Sequence, residues 1–388
     1  MDYCTTKLLG LENVLVNNVN VFSSSIEIAL STKPKPSVCP CCGHTTKYVH
    51  DYRLQRIKDI PYNGKLVRLL LRKRRYVCPC CKKKFFEKYP FLPKYYHMTQ
   101  RVYVNILNDC REVYSYKSIA LRYGVSTNTV GRVISIYDRH LYTCPQVISI
   151  DEFKGNAGDK YQSILADPKK GKVLDILRNR DSNTLLDYFK ALNGRERVKV
   201  FISDMYKPYR DIAKIFFPKA KYVIDKYHYV RQVYWAVDRV RKKIQKNFNK
   251  ERRIYFKHSK KLIFADSSKL GSEDRIALDV ILSSSDELYL AWLLKEEFKE
   301  FRKCRSSTEG ARVLRRWIEI AKESKLEEFK DCITAFTNWF EYICNSLDVP
   351  YTNGFIEGKN NKIKVLKRNA YGVRNFERFR KRILLSCG

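Results

Sequence analysis

The chain has 388 residues and a formal net charge of +35, from 76 Lys and Arg against 41 Asp and Glu. A hydrophobic content of 44% favours a folded protein over a disordered basic tail. No apolar run approaches the roughly 18 residues of a membrane span, and no signal-peptide pattern opens the sequence. These features predict a cytoplasmic protein with a polyanionic partner, most simply DNA or RNA. A ribosome-associated or membrane-surface protein is the alternative.

Two CxxC pairs near the N-terminus predict a metal site. The chain has 13 cysteines, and six of them form two tight clusters, CPCC at 39–42 and CPCC at 78–81. Two thiolates on one tight turn can occupy adjacent corners of a zinc tetrahedron, and a second turn supplies the other two. We therefore predict one structural Zn²⁺ bound by Cys39, Cys42, Cys78 and Cys81. The extra thiols Cys41 and Cys80 leave the choice of ligands open, and a set of packing cysteines is the alternative.

Residues 98–142 are predicted to form a helix-turn-helix. Ala120 is small enough for close helix packing, Gly124 suits the turn, and Ser126 can cap the second helix. With Val130 in the core, four residues of this helix are predicted to contact DNA in the major groove: Thr127, Asn128, Thr129 and Arg132. An ordinary helical hairpin is the alternative.

From residue 147 the pattern of apolar runs is typical of an α/β sheet. Strands are predicted at VISIDEF, YQSILAD, KVLDILR, VKVFISD and KYVID, with helices at 183–192 and 208–217. From 229 to 345 the chain is predicted to be helical, because Val233, Val237 and Val240 recur at helical spacing.

Three carboxylates lie where an active site can form. Asp151 and Asp204 each end a β-like apolar run, and the end of a strand exposes its side chain at the rim of a sheet. Glu357 lies one turn into a helix predicted to begin at Thr352 or Asn353. Adjacent strands would place the two Asp side by side, and the helix would present its Glu to them. Three other acidic residues are alternatives for these positions: Glu152, Asp167 and Asp225.

Clustered carboxylates repel one another unless cations neutralise them, and oxygen ligands suit Mg²⁺ or Mn²⁺. Two such ions can activate a nucleophile and stabilise the leaving oxygen of a phosphodiester. We therefore predict two Mg²⁺ or Mn²⁺ ions in one active site. Three residues on the Glu357 face of its helix are predicted to contact DNA phosphates: Asn361, Lys364 and Arg368.

These motifs, in this order, resemble the bacterial insertion-sequence DDE transposases with an N-terminal zinc ribbon, the ISL-three family. The most specific segments are CPCCG, RRYVCPCC, IDEFKG, SDMYKPY, DKYHYV and the stretch from NGFIEGKNN to the C-terminus. The resemblance implies a ribonuclease-H-like catalytic domain with Asp151, Asp204 and Glu357 as its metal-binding catalytic triad. It also implies supporting roles for Asp225 and His228, which match an Asp-x-x-His element of several transposase groups.

The resemblance implies a multidomain α/β protein whose catalytic domain is interrupted by an all-helical insertion. Five regions are predicted: a zinc-ribbon DNA-binding domain at 1–92, a helix-turn-helix at 98–142, the first catalytic part at 146–228, the insertion at 229–345 and the C-terminal catalytic part at 346–388. The implied activity is hydrolysis at transposon ends, then attack of the freed 3′-hydroxyl on target DNA. The implied partners are the terminal inverted repeats, target DNA and further copies of the chain.

Two other functions stay open. A non-catalytic DNA-binding regulator derived from a transposase would keep the zinc ribbon and the helix-turn-helix but would need no triad. A structure-selective nuclease of similar fold would cut branched DNA without recognising repeats.

Overall fold

The computed structural model describes residues 9–11, 13–155, 161–370 and 375–388. The chain divides into two compact units, the first of residues 1–139 and 362–387 and the second of residues 140–361. None of the helices within the described residues is both long and apolar enough to cross a bilayer.

A five-stranded sheet forms the N-terminal part of the first unit. Its strands are β1 (Val14–Val21), β2 (Ser25–Thr32), β5 (Val49–Tyr62), β6 (Lys65–Val77) and β7 (Lys84–Phe86). Two short strands between them pair with each other, β3 (Ser37–Val38) and β4 (Thr45–Thr46). The strand order is β1-β2-β6-β5, with β7 on β6. β2 and β6 are parallel, and the other pairs are antiparallel.

Strands β5 and β6 form a hairpin around Asn63 and Gly64. Asn63 and Gly64 have φ angles of 46° and 73°, and a two-residue turn with both angles positive matches the twist of the flanking strands. Along β6 the inward side chains Val67, Leu69 and Leu71 are buried, because alternate residues of a strand face opposite sides of the sheet.

Three helices follow in the same unit, α1 (Gln100–Arg111), α2 (Tyr116–Arg122) and α3 (Thr127–Ile136). Gly124 lies in the turn at φ 60°, and the Ser126 side chain accepts a hydrogen bond from the Thr129 N–H at the start of α3. Ala120 and Val130 are buried in the core of these helices. The predicted helix-turn-helix is therefore present.

In the second unit a mixed five-stranded sheet underlies the acidic motifs. Its strands are β8 (Val147–Phe153), β9 (Gln162–Asp167), β10 (Lys172–Leu177), β11 (Val200–Ser203) and β12 (Lys221–Ile224), in the order β10-β9-β8-β11-β12. β8, β9 and β10 form an antiparallel meander, and β11 is parallel to both β8 and β12. Helices α4 (Ser182–Lys190) and α5 (Lys207–Phe216) lie between the later strands in sequence. All five strands were predicted.

The chain from 226 to 347, the helical segment, contains eight α-helices: α6 (Lys226–Lys246), α7 (Lys250–Tyr255), α8 (Ser259–Phe264), α9 (Ser272–Leu282), α10 (Asp286–Lys303), α11 (Ser307–Glu323), α12 (Lys330–Asn338) and α13 (Phe340–Cys344). Val233, Val237 and Val240 are buried, as their spacing predicted. They share one hydrophobic core with Ile150 and Phe201 of the sheet.

Two helices end the chain, α14 (Gly354–Asn369) and α15 (Phe376–Cys387). On α14, the apolar residues Ile356, Ile363 and Leu366 are buried. In the first unit, α15 packs against α1 and α3, and Leu385 enters the core of the helix-turn-helix. Residues 371–374 lie outside the described range.

Candidate functional site

Asp151 lies on β8, and Asp204 directly follows β11, the parallel strand beside it at the centre of the second sheet. The register pairs Val147 with Val200 and Ser149 with Ile202. The same register continued by two residues places Asp204 level with Asp151, and neighbouring strands lie about 4.8 Å apart. The two carboxylates are therefore neighbours at one end of this sheet.

Burial and mutual repulsion disfavour the charged forms of both carboxyl groups. Burial raises the pKa of Asp204 to about 7, and the charges of Glu152 and Asp151 act in the same direction. Burial likewise raises the pKa of Asp151 to about 6. The Oδ1 atom of Asp204 is buried and has no hydrogen-bond partner within the described chain. An unpaired buried carboxylate oxygen fits a divalent cation, which would supply the missing ligand and lower both pKa values.

In Mg²⁺-free buffer the free energy of unfolding is expected to fall as the pH rises from 6 to 8. The folded protein holds protons on Asp204 and Asp151 up to about pH 7 and 6, whereas an ordinary Asp ionises near 3.8. The folded state therefore binds more protons than the unfolded state, and raising the pH from 6 to 8 removes about 2 kcal/mol of stability. Urea denaturation at several pH values measures this slope. Asp204→Asn should flatten it, and Asp167→Asn should leave it unchanged; an unchanged slope in Asp204→Asn would contradict the assignment.

The helix of Glu357 is joined to this carboxylate pair by Asn360. The Asn360 amide donates a hydrogen bond of 3.2 Å to Asp151 Oδ2, and its own Oδ1 is buried without a partner in the described residues. Residues three apart on a helix are neighbours, so Glu357 lies beside the side chain that contacts Asp151. Glu357 is exposed, and the oxygens of Asp151, Asp204 and Glu357 are not all within 4.8 Å of one another. The structure thus brings the two Asp together and brings Asn360, three residues after Glu357, into contact with Asp151.

Asp225 fixes the start of this helix. One of its oxygens accepts a 2.8 Å hydrogen bond from the Asn353 N–H, directly before α14. The other accepts from the Tyr227 N–H and caps α6. Both oxygens are therefore occupied by backbone amides, which indicates a positioning residue rather than a third metal ligand.

His228 is half-buried beside Arg231. Burial and then the nearby Arg231 charge lower its pKa to about 4. Arg231 Nη2 lies 3.3 Å from His228 Nδ1, and a guanidinium only donates, so Nδ1 is the acceptor. The Arg231 charge also favours the ionised forms of Asp151 and Asp204. Arg231 is thus a cation of the site that sequence reasoning missed.

The other acidic alternatives have structural partners. Glu152 forms an ion pair with Arg180, whose guanidinium also stacks on the Tyr206 ring at 4.7 Å. Asp167 accepts hydrogen bonds from the N–H groups of Lys169 and Lys170 in the turn between β9 and β10. These contacts account for Asp167 as a turn residue and leave Glu152 at the edge of the site.

Four cysteines converge in the N-terminal unit, and they are the only group of three or more possible metal ligands this close together in the described part of the chain: Cys39, Cys42, Cys78 and Cys81. Their sulfurs all lie within 4.8 Å of one another, with Cys39–Cys81 at 3.6 Å and Cys42–Cys78 at 3.5 Å. A Zn–S bond of about 2.3 Å places tetrahedral sulfurs about 3.8 Å apart. The cluster therefore fits one structural zinc ion.

The two halves of this cluster have matching backbones. Gly43 donates to the Cys39 carbonyl and Lys82 to the Cys78 carbonyl, both at 3.0 Å. Both donors have positive φ angles, 71° for Gly43 and 58° for Lys82. The extra thiols Cys41 and Cys80 are exposed and lie outside the cluster.

The predicted DNA-contact residues lie on the surfaces of two helices. On α3, Thr127, Asn128 and Arg132 are exposed, whereas Thr129 is half-buried and takes part in the cap of its helix. On α14 three polar residues are exposed: Asn361, Lys364 and Arg368.

Comparisons with known proteins agree with this organisation. Three family models match: a transposase model of the ISL3 type over residues 148–383, a zinc-finger of transposase IS204/IS1001/IS1096/IS1165 over 35–81, and a helix-turn-helix domain of transposase family ISL3 over 87–137.

Curated relatives include two insertion-sequence transposases. The transposase for insertion sequence element IS1001 of Bordetella parapertussis is 25% identical over 368 residues, which cover 92% of this chain and 90% of that protein. The transposase for IS1557 of Mycobacterium tuberculosis is 23% identical over 253 residues, covering 59% of this chain and 57% of that protein. The resemblance drawn from the motifs is confirmed. Because the transposase model alone matches more than half of its residues, the chain belongs to the ISL3 family of insertion-sequence transposases.

Proposed function

We propose that this transposase binds the terminal inverted repeats of its element and cuts and joins DNA strands at one active site formed by Asp151, Asp204 and Glu357. The observation that carries the proposal is the pair of half-buried carboxylates at adjacent strands, with pKa values raised to about 6 and 7. A site with this much unfavourable negative charge is suited to divalent cations.

The role that we propose for each residue follows from its position in the site. Asp151 and Asp204 would hold Mg²⁺ or Mn²⁺, two ions per site, and Glu357 would complete the second ion's ligands from α14. The ions, when bound, activate a water or a 3′-hydroxyl and stabilise the leaving oxygen. Asn360 orients Asp151 through its amide, and Asp225 holds the start of the Glu357 helix. His228 and Arg231 support the site from α6.

Around this site we propose the organisation that the family implies. The mixed sheet with its central Asp pair supports a ribonuclease-H-like catalytic domain, and the helices between β12 and α14 support a helical insertion. The zinc ribbon and α3 would recognise the repeats, with Asn361, Lys364 and Arg368 on phosphates near the metals. Two ends must be held together, so we propose that the protein acts in the bacterial cytosol as a dimer or larger assembly on nucleoid DNA.

The test is cleavage of a labelled duplex carrying the end of the element. With Mg²⁺, the wild-type protein is expected to nick the duplex at the boundary of the repeat and then to join the 3′-end to a target plasmid. A scrambled duplex of equal length is the control. Specific binding without cleavage would favour the non-catalytic regulator, and cleavage of branched DNA without preference for the repeat would favour the nuclease.

A further inference from the structure

One face of the N-terminal sheet carries cations that the site described above does not use. On strands β5 and β6, six of the residues that alternate with the buried ones are exposed. They form what we call the basic face: Tyr52, Leu54, Arg56, Lys58, Arg68 and Arg72. In the register of the hairpin Leu54 lies opposite Arg72, and Lys58 lies opposite Arg68.

The charges of this face are arranged unfavourably for the protein alone. Like charges directly opposite on neighbouring strands destabilise a sheet, and Lys58 and Arg68 are such a pair. Glu27 lies 3.7 Å from Arg68, but in the described chain no carboxylate pairs with Arg56 or Arg72. Such a surface is suited to a polyanion that supplies the missing negative charge.

The spacing of the cations fits a repeating backbone. Arg68 and Arg72 are four residues apart on one strand, which corresponds to about 13 Å, and Arg56 lies opposite Leu70 between them. The Arg72 guanidinium stacks on the Tyr52 ring at 4.0 Å, which orients its donors. Leu54, 67% exposed, adds an apolar contact for a sugar edge. Phosphates alternating with sugars match this pattern of charge and apolar surface.

The basic face continues into the helix-turn-helix of the same unit. Lys58 donates a hydrogen bond to the Gly124 carbonyl in the turn before α3. A Cβ added at Gly124 would lie 2.9 Å from the Leu66 side chain, so the turn and the hairpin are in close contact. A groove of about 510 Å³ runs from Lys58 past Tyr96 to Thr129 and Arg132 of α3. A duplex held by α3 therefore passes close to the hairpin.

We infer that the basic face binds the sugar–phosphate backbone of the DNA duplex whose bases α3 contacts. Arg56, Arg68 and Arg72 supply about three phosphate contacts and no sequence readout. The inference rests on the proposed function in one respect: that this duplex is the end of the element. Phosphate contacts strengthen binding to every sequence equally, so the surface adds affinity and not preference.

The test compares full-length variants on two 40-base-pair duplexes, one carrying the element's end and one of random sequence. In the triple variant Arg56→Ala, Arg68→Ala, Arg72→Ala, affinity for both duplexes is expected to fall by the same factor, on the order of tenfold to a hundredfold at low salt. Between 50 and 200 mM salt, the slope of log affinity against log salt should become shallower by about 2.7, or about 0.9 for each lost contact.

A matched pair of single variants keeps the test independent of folding. Arg53 and Arg56 are exposed residues of the same strand but point to opposite faces, and Arg53 lies 3.5 Å from Asp51. Arg56→Ala should weaken binding several-fold, and Arg53→Ala should bind as wild type. Zinc content and thermal transition report that each variant is folded.

Wild-type affinity and salt slope in the triple variant, or equal weakening by Arg53→Ala, would overturn the inference. Failure of the proposed function looks different, since the wild type would show no preference for the end over random DNA while the triple variant still weakened both. Asn128→Ala on α3 provides the opposite pattern, a reduced preference with an unchanged salt slope.

Discussion

Replacing Asp204 by Asn is expected to lower Mg²⁺-dependent strand cleavage by about three orders of magnitude or more, with binding to the repeats retained. Asn keeps the shape of the side chain but loses the negative charge that a divalent cation requires. A bound metal contributes several kcal/mol to charge stabilisation in the transition state, and each 1.36 kcal/mol is tenfold in rate. Single-turnover cleavage of the labelled end duplex and gel-shift titration of the same duplex measure the two properties separately.

Controls for this variant come from neighbouring acidic residues. Asp167→Asn should cleave as wild type, because Asp167 is occupied by the turn amides of Lys169 and Lys170. Glu357→Gln should be as defective as Asp204→Asn, whereas Glu152→Gln should be milder because Glu152 is paired with Arg180. Full cleavage by Asp204→Asn would remove it from the active site, and full cleavage by Glu357→Gln would leave the third position to another residue.

The second prediction with a large expected effect concerns the zinc site. The wild-type protein is expected to contain one zinc ion per chain, and Cys42→Ser or Cys78→Ser should contain none. Four-thiolate zinc binding contributes on the order of 10 kcal/mol to the folding of a small module, far more than the rest of such a module supplies. The variants should therefore lose binding to the repeats together with the metal. Metal content by atomic emission and protease sensitivity of the N-terminal region measure this result.

Exposed cysteines of the same two turns provide the matched controls. Cys41→Ser and Cys80→Ser should keep one zinc ion per chain, because both thiols lie outside the cluster. A zinc ion retained in Cys42→Ser but lost in Cys41→Ser would reverse the ligand assignment.

Much of the fold could be predicted from local patterns. The five strands of the second sheet follow from apolar runs, and the first hairpin follows from Asn63-Gly64, because both signals depend on neighbouring residues. Adjacency of Asp151 and Asp204 was also predictable, since parallel strands place their ends at one edge. The four zinc ligands followed from CxxC spacing alone.

Contacts over long sequence distances could not be predicted in this way. Asn360 is hydrogen-bonded to Asp151, 209 positions earlier in the chain. Its position three residues after Glu357 is the only sequence signal that could have indicated this contact. The interactions of Arg231 with His228, Asp151 and Asp204 likewise could not be predicted, because they depend on the direction of α6 relative to the sheet. The final helix α15 packs on α1 and α3, and nothing in its own pattern indicated those partners.

The hydrogen bonds of Asp225 have a consequence for how this protein can vary. The Asp225 carboxylate binds both ends of the helical segment. One oxygen accepts from the Tyr227 N–H at its start, and the other accepts from the Asn353 N–H after its end. Asp225 and Asn353 are 128 positions apart in the chain. Helices can therefore be added or removed between these two points while the distance to be spanned stays the same. Closing a longer chain costs little, since the entropy of closure grows only with the logarithm of length. Relatives can thus differ widely in this segment and still place the Glu357 helix at the same end of the sheet.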